Sequence, residues 1–138
     1  MEDMAVDKIT EKIIASAFKV SNTLGIGFVE KVYENALAHQ MMQDGLKLVQ
    51  QFPIKVEYDG VLVGEFIADM LLEDRVLVEL KAVSDLTSEH LAQALNYLRA
   101  TGLEACLLIN FGKSRLQIRR LHPSPTWKTM QGKIISQQ

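Results

Sequence analysis

The run Val76-Leu77-Val78-Glu79-Leu80-Lys81-Ala82-Val83 is mostly apolar on both sides of an extended strand. Val76, Val78, Leu80 and Ala82 share one face, and Leu77, Glu79, Lys81 and Val83 share the other. Such a strand is central in its sheet and covered on both sides. The rest of the chain must therefore supply flanking strands and two covering layers.

The hydrophobic spacing predicts both. Ile9, Ile13, Ala17, Val20 and Leu24 recur at three- and four-residue intervals, which reads as an amphipathic helix over 6–24 with Asp7 as its cap. The glycines of Leu24-Gly25-Ile26-Gly27 break it, and a second helix is expected over 28–43, ended by Gly45. Residues 48–58 read as a strand whose Pro53 assigns it to an edge or a bulge. Asp59-Gly60 is a hairpin turn signal, 61–72 the returning strand, Glu73-Asp74-Arg75 a second tight turn, and 76–83 the third strand. Thr87 can cap a helix over 88–100 that Gly102 closes, after which 105–110 is an apolar strand and 115–121 a basic one. A hairpin meander followed by a helical crossover predicts an α/β (α+β) fold with a mixed sheet flanked by helices. Its length of 138 residues fits a single domain, with a core over about 6–121. The tail, 122–138, is expected to pack weakly, anchored at most by Trp127 and Ile134-Ile135.

Several classes are disfavoured at once. No apolar run is long enough to span a membrane, and the acidic start MEDMAVDK is not a secretory signal. A lone Cys106 leaves no intramolecular disulfide, suits a reducing cytoplasm, and reads as a small core residue. His39 and His122 have no partners at ligand spacing, which argues against zinc. Charge is divided along the chain: residues 1–104 carry a local net of −8, and the remainder carries +6 from Lys113, Arg115, Arg119, Arg120, Lys128 and Lys133. A polyanion would favour the last third and a metal cation the carboxylates before it, although a solvated basic edge explains the same charges.

The chemistry concentrates where acids interrupt apolar strands. Across the second tight turn, Asp69 and Glu79 can stand near each other on one face, with Lys81 two residues further on. A buried charge costs several kcal/mol unless paired or coordinated. A Glu79–Lys81 ion pair satisfies one acid and leaves Asp69 to explain, whereas a divalent cation such as Mg²⁺ or Mn²⁺ relieves two converging carboxylates. A buried salt-bridge network, or strand ends that reach water, is the plainer alternative. Glu30 falls on the same helical face as Tyr33, Leu37 and Met41, and Glu34 borders that stripe; a helix N-terminus alone would also favour an acid at Glu30. On the third helix, Leu91, Leu95 and Leu98 define the core face. His90, Gln93 and Tyr97 line the face beside it, either to hold a phosphate, a water or a lysine, or simply to edge the core.

Together these segments resemble the PD-(D/E)XK nuclease superfamily and, within it, the small GxxExxY protein family. Gly27-Phe28-Val29-Glu30-Lys31-Val32-Tyr33 matches the family's name motif. Asp69 followed by Glu79-Leu80-Lys81 resembles the superfamily's metal-binding acid and (D/E)-x-K, with Ala68 where a literal motif has proline. Gln93 and Tyr97 are similar to the glutamine and tyrosine of its later helix, and Leu108-Ile109-Asn110-Phe111-Gly112 to its usual strand ending. The resemblance covers about residues 10–121. It implies an αβββαβ restriction-endonuclease-like core, here with an extra N-terminal helix and a C-terminal strand. It also implies that Glu30, Asp69, Glu79 and the Leu80 carbonyl ligate Mg²⁺ or Mn²⁺, that Lys81 assists the attacking water, and that Gln93 and Tyr97 support the site. Glu34 is the alternative helical acid. The activity implied is hydrolysis of DNA, with Arg115, Arg119 and Arg120 on the backbone if their strand borders the cleft. The rivals are a non-catalytic module binding nucleic acid or protein, and a purely structural domain. Glycoside hydrolysis fits less well, since Lys81 has no part in it. A homodimer is compatible with this size, though no sequence feature demands one.

Overall fold

A computed structural model describes residues 4–125 and 127. The chain forms α1 (Val6–Leu24), α2 (Glu30–Gln43), β1 (Leu48–Tyr58), β2 (Val61–Leu72), β3 (Val76–Lys81), α3 (Ser88–Thr101), β4 (Ala105–Asn110) and β5 (Gln117–Leu121). The five strands make one mixed sheet in the order β1-β2-β3-β4-β5, antiparallel throughout except for the parallel pair β3–β4. The α/β class and mixed sheet expected from the sequence are thus the architecture of the molecule.

β3 is central, and all but its last residue are buried. One face carries Val76, Val78 and Leu80 against Ile9, Ile13, Tyr33, Leu37 and Met41 of α1 and α2. The other carries Leu77, with Cys106 of β4 beside it, against Ala94, Tyr97 and Leu98 of α3. Two apolar faces demand two layers, and the helices on either side of the crossover supply them. Pro53, paired with Ile67 of β2, sits on the edge strand β1, where a proline inside a strand is expected. Asp59 and Gly60 both have positive φ, as a two-residue hairpin turn requires.

Four local expectations change. Asp7 lies in the first turn of α1 and caps nothing with its side chain; the cap position is Ala5, and Asp7 contributes its carbonyl to Thr10 Oγ1 at 2.9 Å. α2 begins at Glu30 rather than at 28, because the chain before it is tied down by Tyr33. β3 stops at Lys81, since Val83 N–H leaves the ladder and donates to Asn110 Oδ1 at 3.0 Å. β5 begins at Gln117 rather than at 115. Thr87 caps α3 as expected, and His90 completes that cap by accepting from Thr87 N–H at 3.1 Å. Of the expected tail, Trp127 packs against the α3-side core, its ring 5.9 Å from the Arg99 guanidinium, whereas Ile134 and Ile135 lie outside the described residues.

The long β1–β2 hairpin changes allegiance along its length. Leu48, Met70 and Leu72 pack with the α1–α2 core, but Phe52, Ile54 and Ala68 pack with the α3 core. Gln50 pairs with Met70 and Phe52 with Ala68, so the switch falls at Gln51 and Asp69. Gln51 has φ +58°, a left-handed conformation uncommon for a residue with a side chain. The pairing register is kept across the switch, and the left-handed Gln51 marks the point where β1 turns its other face to the core.

Candidate active site

The β2–β3 ladder pairs Leu72 with Val76, Leu71 with Leu77 and Met70 with Val78, and the next step brings Asp69 opposite Glu79. There the backbone bonds give way to side chains. Asp69 N–H donates to Glu79 Oε2 at 2.6 Å, and Leu80 N–H donates to Asp69 Oδ2 at 2.7 Å. Each carboxylate thus takes an amide from the opposite strand, a charge-assisted bond that holds both side chains in one orientation. One oxygen of each acid is consumed in this way. Among the described residues, Asp69 Oδ1 and Glu79 Oε1 accept no hydrogen bond from another side chain or backbone group.

Burial shapes the electrostatics. Glu79 is 6% exposed, and desolvation, reinforced by the Asp69 charge, pushes its carboxyl up to about 8. Desolvation also raises Asp69, against the lowering pull of the Leu80 amide bond. Glu30, at the first position of α2, is raised by partial burial and by the Asp69 carboxylate, while Lys81 pulls it the other way. All three acids therefore act on one another beside the lysine, although they come from a helix and two strands. Burial and the charges of Glu79 and Asp69 raise the Tyr97 hydroxyl as well, so α3 adds a phenol to the same region.

Glycine and tyrosine of the Gly27–Tyr33 segment have a physical task. Tyr33 is fully buried, its ring stacked on Phe111 at 4.9 Å between centroids. Its hydroxyl donates to the Gly25 carbonyl at 2.6 Å and accepts from Phe28 N–H at 3.3 Å. The tyrosine thereby pins the glycine loop that leads into α2 and fixes where Glu30 starts the helix. Gly27 has φ +112°, which a side chain would resist.

Glu34 is the more buried of the two helical acids, at 4% exposed, the reverse of the order expected from helical spacing. Its oxygens are fully engaged. Oε1 accepts from Lys31 Nζ and Gln51 Nε2 at 3.1 Å each, and Oε2 accepts from Gln50 Nε2 at 2.8 Å and Gln51 Nε2 at 3.0 Å. The sequence gives no sign of these two glutamines. They reach Glu34 because the left-handed turn at Gln51 lets consecutive residues address the same helix.

The donor set is composed of hard carboxylate oxygens, which fits Mg²⁺ or Mn²⁺ better than zinc. Among the described residues, no three His, Cys, Asp or Glu side chains form a ready-made cage. Asp69 and Glu79 each turn one oxygen to a backbone amide, and Glu30 stands exposed at its helix end. Gln93 is exposed on α3 and shares a groove with Tyr97. Cys106 is buried, its thiol pushed upward chiefly by burial, and belongs to the core. His90 is spent on the α3 cap.

The basic strand is not one patch. β5 lies beyond β4 from β3, and the row Glu79–Leu108–Arg119 puts Arg119 on the Glu79 face about two strand spacings, roughly 10 Å, away. Arg120 pairs with Leu107 on the opposite face and approaches Asp7 at 3.9 Å. Arg115 precedes the strand.

A family model described as the PD-(D/E)XK nuclease superfamily matches residues 7–121. No curated protein matches the chain. Among solved structures the chain is similar to an alkaline exonuclease from Laribacter hongkongensis, at 13% identity and a TM-score of 0.55, over 94% of this chain and 76% of that one. At that identity the likeness speaks for a shared fold.

Proposed function

This chain belongs to the PD-(D/E)XK nuclease superfamily, and from that premise we propose that it hydrolyses phosphodiester bonds of DNA with water as the nucleophile and Mg²⁺ or Mn²⁺ as cofactor. The observation that carries the reading is the pair formed by the half-buried Asp69 and the buried Glu79, face to face with one oxygen of each locked to a backbone amide. Two acids so placed repel each other when ionised, and a cation is the partner that lets both carry charge. Asp69, Glu79 and the Leu80 carbonyl would hold it, with Glu30 as the helical acid. Glu34 is assigned a supporting part, because Lys31, Gln50 and Gln51 already occupy both its oxygens. When bound, the ion supplies Lewis acidity toward a phosphoryl oxygen and lowers the pKa of its water.

Lys81 then orients the water or neutralises charge developing on the phosphate. Gln93 and Tyr97 support the site from α3, and Arg119 is the basic residue best placed to meet a strand leaving it. The motif Gly27–Tyr33 supports membership of the GxxExxY family, since its tyrosine fixes the loop from which its glutamate emerges. Residues 6–121 act as one catalytic domain in this reading, in a reducing cytoplasm.

The test is cleavage of labelled DNA in Mn²⁺ by wild type, Asp69→Asn and Glu79→Gln. Cleavage by wild type that both variants lose supports the reading, provided circular dichroism shows them folded. Salt-sensitive DNA binding by wild type without turnover would replace it with a non-catalytic module. Equal cleavage by all three would point to a contaminating enzyme.

A further inference from the structure

On the α3 side of the sheet, α3 and the far half of the β1–β2 hairpin enclose an open groove of about 570 Å³, within the roughly 300–1,000 Å³ of ordinary ligand sites. Its walls are mainly apolar. Phe66 stands at one side, 44% exposed, with its ring 5.4 Å from that of Tyr97 and inclined to it by 39°. Two side-chain amides, Gln93 and Asn96, also line it. Among the described residues, the charged side chains on its walls are Glu89 and Arg99, one of each sign.

We propose that this groove receives one unpaired nucleobase of the strand being cut, stacked on Phe66 and read at its edge by Gln93 and Asn96. The proposal rests on the nuclease reading and narrows its substrate to strands whose bases can leave the helix. Three features select a base over other occupants. A half-exposed aromatic face is a stacking platform for any base. Amide side chains carry both donors and acceptors, as base edges do. A charge-balanced wall containing Glu89 offers a phosphate no net attraction, so the backbone runs outside while the base turns in. Continuity places the groove in use, because Tyr97 forms part of its wall and also feels the charges of Asp69 and Glu79.

The experiment measures binding by fluorescence anisotropy in EDTA, where no cleavage intervenes. The probes are labelled oligothymidylate, oligouridylate and an abasic oligonucleotide of equal length. Wild type should bind one or both base-bearing strands about 5- to 150-fold more tightly than the abasic one, the range expected for a single stacked base. Phe66→Ala and Phe66→Leu should both bring that ratio to near one, while Phe66→Tyr keeps it. The leucine variant preserves apolar volume without an aromatic face, so a general loss of folding would not imitate the result. Equal affinity of wild type for all three probes, or no detectable binding, overturns the proposal, as does a ratio that survives Phe66→Leu. Mn²⁺ cleavage assayed separately keeps the two readings apart. Cleavage without a base preference removes the groove and leaves the nuclease. A base preference without cleavage keeps the groove as a base-binding site and removes the nuclease.

Discussion

Glu79 should make this protein less stable as the pH rises, and Glu79→Gln should abolish that dependence. Burial and the neighbouring Asp69 raise its carboxyl from 4.5 to about 8. Below about pH 4.5 the group is protonated in both folded and unfolded chains, so the folded state carries no penalty from it. Between 4.5 and 8 the unfolded chain has released the proton and the folded chain retains it. Stability then falls by ~1.4 kcal/mol per pH unit. Above about 8 the folded carboxyl ionises too, and the accumulated loss is on the order of 5 kcal/mol, set against the ~5–15 kcal/mol that holds a typical domain together. Glutamine retains an oxygen for the Asp69 amide but has no proton to lose. The assay is urea denaturation in EDTA at intervals from pH 5 to 9, with wild type and variant side by side so that other titrating groups cancel. With a slope of ~1–3 kcal/mol per molar urea, the ~4 kcal/mol lost across that range should drop the wild-type midpoint by ~1–4 M relative to the variant. Mn²⁺ should recover more of the wild-type midpoint at pH 9 than at pH 5, because ligands bind metal once deprotonated. Parallel curves for the two proteins would refute the reasoning, and with it the burial of Glu79 face to face with Asp69.

Four further outcomes follow from other parts of the structure. Glu30→Gln should lower Mn²⁺-supported cleavage at least tenfold while leaving the melting temperature within a few degrees. Glu34→Ala should cost ~0.5–1.5 kcal/mol of stability by removing the hydrogen bonds from Lys31, Gln50 and Gln51, whose exposed donors then turn to water, read by urea midpoint. Tyr33→Phe should cost a similar ~0.5–1.5 kcal/mol, since Gly25 O and Phe28 N lose their shared partner, and should lower cleavage further than its stability loss alone explains. Gly112→Ala should fold poorly, because a Cβ there would lie 2.2 Å from the Val83 carbonyl oxygen and 2.4 Å from its nitrogen. Backbone cannot give way as a side chain can, so the loss should exceed the ~1–3 kcal/mol of ordinary overpacking, measured by yield and thermal melt.

Much of the fold was legible because period and punctuation agreed. α1, β1, β2 and β4 have the bounds that spacing predicts, and Asp59-Gly60 turns where a glycine with positive φ makes turning easy. The opposition of Asp69 and Glu79 follows from a short turn between two apolar strands. Three things were hidden, each for a reason. The order of burial of Glu30 and Glu34 depends on how far along α2 the sheet extends, which helical spacing does not encode. The left-handed Gln51 has no glycine or asparagine to announce it, and it is held by partners distant in sequence. The division of Arg119 from Arg120 needs the register of β5, since adjacent residues on a strand face opposite ways. His90 was readable as part of a cap only if histidine is allowed to do what glutamate usually does at that position.

Asn110 gives the region one more property. It is fully buried, its oxygen accepting from Val83 N–H and Gly112 N–H and its nitrogen donating to Val83 O and Gln117 Oε1. It is the register partner of Lys81, so this small amide lattice fastens the strand immediately past the lysine. The lysine's backbone is thus anchored by neutral groups that neither titrate nor await an ion. Arrival or departure of a cation would change charge at the carboxylates while the frame that carries the ammonium group stays still. A descendant that discarded catalysis could replace its acids one at a time and inherit an intact scaffold.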